Sequence, residues 1–245
     1  MKNVHDLKYR LLHGETDVTN LTHKIGAYDL PYVKCSKDID VDFIALYGEP
    51  GIYQKTENTA VGFFQYDCDF NGTCGLEYTI RSGDEQLKNF YAERFKDTKY
   101  LIAPDFSLLG DIQGIENLHY QNWSRISAVW MVTELHKPVI PLVTAPNEKY
   151  FKTMLEGMED TFIVAFNLKG PLGDAAQLPI FRDMVKYAVS QLSELKSIVV
   201  YTASPDNEKV YEIFEPAIIR GIRIQIPENT LRERNRLKRG DCYVK

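Results

Sequence analysis

Two aspartates six residues apart close the stretch YLIAPDFSLLGD, residues 100–111: Asp105 follows an apolar run and a proline, and Asp111 ends the segment. A carboxylate there can cap the next helix, take a proton or hold a hard cation. The helix expected to start near Gln113 needs no cap as far back as Asp105, so Asp105 is the first candidate for chemistry, as base or metal ligand, and Asp111 the second. With Asp67 they form an all-oxygen set suited to a divalent cation such as Mg. Ser107 lies two residues past Asp105. In the helical stretch IENLHYQNWSRISAVWM, Asn122 and Arg125 are three apart and share a face. Arg125 precedes apolar residues, and a buried arginine needs an anion, so it is expected to clamp a ligand anion or to pair with Asp105 or Asp111. Lys169 opens the loop KGPLGD between a strand and a helix, where backbone N–H groups can cradle phosphate, although the loop matches neither GxGxxG nor GxxxxGK[ST]. GxSxG, HExxH and HxH patterns are absent, which argues against a Ser-His-Asp triad or a histidine-based nuclease.

The elements that must position these residues can be read from periodicity. Residues 100–103, 139–143, 162–166, 198–202 and 222–226 are short, continuous apolar runs rich in β-branched residues, the pattern of strands buried on both faces of a parallel sheet. Between them apolar residues recur every three or four positions, as in Leu178, Phe181, Val185, Ala188, Leu192 and Leu195, which marks amphipathic helices. The fold class is therefore α/β, a mostly parallel sheet of repeated β/α units, either a partial or closed barrel or an open doubly wound sheet. VDFIALYGEP reads as a further strand, and VGFFQYDCDF with TCGLEYTI around Asn71-Gly72 reads as an N-terminal β-hairpin. Asn147, Asp174 and either Ser204 or Asp206 are expected as helix N-caps. Residues 1–40 are expected to wrap the domain, 41–230 to form it, and 231–245 to be a basic tail. In parallel β/α folds the loops leaving the strand carboxyl ends converge, so Asp105, Ser107, Asn167 and Lys169 are expected on one edge.

With 245 residues, 44% of them hydrophobic, the chain can bury a full core, and a mixed charge of −5 gives no general attraction to nucleic acid or anionic membrane. The amino terminus has no apolar stretch after its basic residues, so a soluble, cytoplasmic protein is expected. The four cysteines form no CxxC pair, which favours reduced thiols over a disulfide framework or structural zinc. The carboxyl terminus departs from the acidic average: Arg232, Arg234, Arg236, Lys238 and Arg239 suit a solvated helix end or contact with phosphate or an acidic partner.

The succession VGFFQYDCDFN, APDFSLLGD, SRISAVW and KPVIPLV resembles an uncharacterised family of bacteriophage and mobile-element proteins whose hallmark is a strand ending in P-D-F-S. On that resemblance Phe64, Asp67, Pro104, Asp105, Phe106, Ser107, Arg125 and Pro141 occupy the family pattern, while the tryptophan after the VIP strand is replaced by Val143-Thr-Ala-Pro. The resemblance implies a bacterial host cell and a mobile-element setting, and no mechanism. Two functions are expected from the whole: a strand-end pocket that binds or hydrolyses a nucleotide or nucleic-acid-derived ligand, or a non-catalytic protein that contacts a host defence or replication factor.

Overall fold

The computed structural model describes residues 22–37 and 39–240. Expectations that fall on residues 1–21, Asp38 and 241–245, including Cys242, lie outside them. A small antiparallel hairpin, β1 (Lys24–Ile25) and β2 (Leu30–Pro31), precedes parallel strands β3 (Phe43–Leu46), β4 (Thr59–Gly62), β5 (Tyr100–Ile102), β6 (Val139–Ile140), β7 (Ile163–Asn167), β8 (Ser197–Tyr201) and β9 (Arg223–Gln225). Helices α1 (Asp67–Asn71), α2 (Leu76–Ser82) and α3 (Glu85–Phe95) join β4 to β5, and α4 (Gly114–Thr133) joins β5 to β6. Helix α5 (Phe151–Leu155) leads to β7, α6 (Gln177–Gln191) to β8, α7 (Asn207–Ile213) and α8 (Glu215–Ile219) to β9, and α9 (Thr230–Arg239) follows.

Strands β3 to β6 form one ladder and β7 to β9 another, each in sequential order. Two seams join them. Val143 N–H donates to Ala165 O (2.9 Å) and Ala165 N–H to Pro141 O (2.8 Å), which links β6 to β7. Ile44 N–H donates to Glu228 O (2.8 Å) and Glu228 N–H to Asp42 O (2.9 Å), which links the chain after β9 back to β3. The α/β architecture is thus a barrel of parallel strands with helices outside, closed at each seam by a short pair of backbone hydrogen bonds.

Strand alternation separates two packing layers. Val164, Phe166, Ile198 and Val200 pack with Phe181, Val185 and Phe214 of the outer layer, while Ile163, Ala165, Val199 and Tyr201 belong to the other cluster, with the barrel interior. Phe64 and Tyr201 stack at 4.5 Å and 12° although β3 and β9 separate their strands around the ring, so this contact runs through the interior. Gly62 is required for it: a Cβ there would come within 2.7 Å of the Phe64 ring. Cys35 is tied to the start of β7, through Phe162 N–H to Cys35 O (2.9 Å), and Val41 to β9, through Val41 N–H to Gln225 Oε1 (2.9 Å).

The hairpin expected at Asn71-Gly72 is not formed; the antiparallel pair is β1–β2, earlier in the chain. Val61 ends in a parallel strand, and the chain then turns helical. Asn71 closes α1, and its side chain accepts from Glu77 N–H (2.7 Å) at the start of α2, so the Asn-Gly pair serves a helix-to-helix turn. The expected caps are present: Asn147 accepts from Lys149 N–H, Asp174 from Ala176 and Gln177 N–H, and Asp206 from Glu208 and Lys209 N–H. Among the described residues no helix is long and apolar enough to cross a membrane.

Candidate functional site

The loops after β4, β5, β6 and β7 surround a cavity of about 990 Å3 at the strand carboxyl ends. This is the face on which parallel β/α barrels place their ligands. Asp105 lies on its wall, two residues past Ala103 and directly after the buried Pro104.

The P-D-F-S loop is held from several sides. Phe106 is buried, with its ring against Tyr120 of α4 (5.9 Å, 21°) and edge-on to Phe70 of α1 (5.3 Å, 71°). Ser124 Oγ donates to Pro104 O (2.7 Å). Asn117 clamps the far end, accepting from Leu109 N–H (3.0 Å) and donating to Leu109 O (2.8 Å). Gln121 lies on the same stripe of α4 and donates to Thr144 O (3.4 Å) in the loop after β6. A loop whose backbone is fixed in this way presents its carboxylate in one geometry.

Asp105 itself accepts a hydrogen bond at Oδ2 from Asn167 Nδ2 (2.7 Å). The Asn167 amide is oriented by a second bond: its Oδ1 accepts from Lys169 N–H (3.1 Å), so Nδ2 must be the group turned toward Asp105. Asp105 Oδ1 has no partner among the described residues. Burial raises the Asp105 pKa from 3.8 to about 6, against the lowering effect of the Asn167 bond and with a further push from the charge of Asp67. A carboxyl group titrating there is ionised at neutral pH and still basic enough to take a proton.

The other expected site residues divide clearly. Asp67 accepts from Ser107 N–H (3.2 Å to each carboxylate oxygen) and from Ser107 Oγ (3.1 Å), which ties the first turn of α1 to the P-D-F-S loop. Ser107 and Lys169 line the cavity, and Asp69 and Gln65 join them there. Asp111 is exposed at the loop end and Asn122 is half-buried on α4; neither lines the cavity. The Asp67, Asp105 and Asp111 metal set is not assembled, and among the described residues no three His, Cys, Asp or Glu side chains converge in a way that could hold an ion.

Arg125 does not clamp an anion in this cavity and does not pair with Asp105. It is buried on the side of α4 facing α5, where Nη1 donates to Glu156 O (2.5 Å) and Nη2 to Met154 O. Those carbonyls end α5, and a helix carboxyl terminus supplies the partial negative charge that a buried guanidinium needs. Burial lowers its pKa to about 10, partly offset by Glu159 and Glu156, so it stays charged at neutral pH.

The basic terminal helix is also divided. Arg232 is fully buried, with Nε 3.3 Å from Glu228 Oε1 and Nη2 donating to Asn207 Oδ1, and Arg236 Nη1 lies 2.8 Å from the same Glu228 oxygen. Arg232 is therefore internal rather than a partner contact, and Arg234, Lys238 and Arg239 are the exposed cations of the five.

Asn117, Gln121, Ser124 and the role of Asn167 escaped the reading of the sequence. A signal was present in α4: Asn117, Gln121 and Ser124 recur at steps of four and three, which places them on one helical stripe. Comparison of the chain with family models, with curated proteins and with solved structures gives no match.

Proposed function

We propose that the chain binds a small nucleic-acid-derived ligand in the strand-end cavity and that Asp105 exchanges a proton with it. The observation that carries this reading is the Asp105–Asn167 pair on the wall of a cavity of about 990 Å3, with Asp105 Oδ1 unpartnered and the pKa raised to about 6. The cavity volume suits a nucleoside-sized molecule, its lining is largely apolar with a few polar groups, and its strand-end position is the usual one in this architecture. In this mechanism Asn167 holds Oδ2 while Oδ1 faces the ligand. Proton transfer then needs no rearrangement of the loop, because Phe106, Ser124 and Asn117 already fix it.

The test is thermal unfolding of the full chain with a panel of nucleobases, nucleosides and nucleotides, for the wild type and for Asp105→Asn. A ligand present at about 100 times its Kd adds roughly 2.7 kcal/mol, several degrees in Tm for this size. The expected result is a shift in the wild type that is lost in a folded Asp105→Asn protein. An equal shift in both, or none with any member of the panel, overturns the proposal.

A further inference from the structure

We propose that this cavity selects an uncharged or cationic heteroaromatic ring, a free nucleobase or a nucleoside, and discriminates against its phosphorylated forms. This rests on the strand-end ligand reading above and adds the charge class and the recognising edge.

The places where a phosphate would bind are already occupied. At the start of α6, which borders the cavity through Gln177, the N–H groups of Ala176 (2.8 Å) and Gln177 (3.1 Å) both donate to Asp174 Oδ1. A carboxylate therefore sits where a helix amino terminus would receive an anion. Asn147 takes the Lys149 N–H in the same way after β6.

The charge balance points the same way. Asp69 and Asp105 line the cavity and Asp67 lies close enough to Asp105 to raise its pKa, whereas among the described residues Lys169 is the one cationic side chain of the lining. The guanidinium of Arg125 is committed to the carbonyls of α5. A phosphomonoester would add up to two negative charges to a site that already has a surplus of them.

The polar groups that remain fit a ring edge. Asn167 Nδ2 carries two hydrogens and gives one to Asp105 Oδ2, so this bonded pair retains one N–H to donate and the Asp105 Oδ1 acceptor. Adenine, cytosine and guanine each offer a neighbouring acceptor and N–H donor on one edge, the complement of that pair. Phe64, Val143, Ile180 and Met184 supply apolar surface for the flat faces of a ring, and Phe64 is backed by its stack on Tyr201.

The experiment is isothermal titration of the full chain at pH 7.5 with adenine, adenosine, cytidine and guanosine, and with the corresponding 5′-mono- and triphosphates. The expected result is that at least one base or nucleoside binds at least about tenfold more tightly than its monophosphate, with the triphosphate weaker still. Asn167→Leu should abolish that binding. Asp174→Ala, which frees the α6 amino terminus, should leave nucleoside binding intact and narrow the gap to the monophosphate, a readout independent of whether the Asn167 variant folds. Phosphorylated forms binding as tightly as the nucleoside, in an Asp105-dependent manner, would overturn this inference and leave the cavity reading standing. No binding by any of these compounds would overturn both.

Discussion

Asp105 owes its properties to three neighbours with opposed effects. The protein around it disfavours the charged form, the Asn167 amide favours it, and Asp67 disfavours it again. Burial dominates, so the folded-state pKa of about 6 lies above the unfolded value near 3.8, and the protonated form is the one that favours the fold. Its contribution to stability is complete below about pH 3.8 and is lost as the pH rises through about 6. Asp105→Asn keeps an acceptor for Asn167 and removes the charge. It should therefore stabilise the chain at pH 7.5 by about 2 kcal/mol, after allowance for the opening onto solvent, and have little effect at pH 4. Thermal melts at the two pH values check this, and a variant that melts lower than wild type at pH 7.5 would contradict it. Residues that hold a functional group are commonly unfavourable for stability, and Asp105 fits that trade-off.

At the scale of the element, α4 serves two sides of the molecule. Asn117, Gln121 and Ser124 fasten the loops after β5 and β6, while Arg125, one residue further round, fastens the end of α5. The turn after α5 is tight: Gly157 has φ +86°, and a Cβ there would lie 2.7 Å from Pro31 O and 3.2 Å from Arg125 Nη1. Arg125 thus connects α4 to the end of α5, and the Gly157 turn packs against the end of the β1–β2 hairpin. Arg125→Met would leave the carbonyls of Met154 and Glu156 without donors and should destabilise the chain by about 2–4 kcal/mol. Arg125→Lys should rescue little of this, because one ammonium cannot reproduce the two-pronged geometry. Urea unfolding gives the loss. Ligand-induced shifts measured on the still-folded fraction should match wild type, since Arg125 lies outside the cavity.

For the whole molecule, the deciding feature is closure. The seam between β3 and the chain after β9 passes through Glu228, whose backbone makes both hydrogen bonds and whose carboxylate anchors Arg232 and Arg236 of α9. Asn229 adds a bond from Nδ2 to Thr202 O (2.9 Å), and Lys55 reaches Glu233 at 2.7 Å, so α9 is secured to the chain just after β8 and to the loop between β3 and β4, on both sides of the seam. Arg232→Met removes the buried partner of Glu228 while Arg236 retains part of the pairing. The expected cost is about 3 kcal/mol. Limited proteolysis should then cut first within 226–240. Wild-type resistance in that region would show that α9 does not hold the seam.

The sequence by itself determined the periodic features. Continuous apolar runs located the strands after residue 97, the three-to-four spacing located their helices, and Asn147, Asp174 and Asp206 were legible as caps, because each depends on residues within a turn of one another. Asp105 stood out for the same reason, as a carboxylate at a strand end that no helix needed. Tertiary structure decided the rest. Whether the strands close depends on pairing β3 with the chain beyond β9, at opposite ends of the described fold, and no local pattern encodes that contact. The partner of Asp105 depends on which way α4 is rotated against the barrel: packing turns Arg125 toward α5 and leaves Asn167, from a different strand, to meet the carboxylate. Asn71-Gly72 reads locally as a hairpin turn, but Phe70, Leu76 and Ile80 are buried from two short helices packed against the barrel, and burial of side chains outweighs the preference of a two-residue turn.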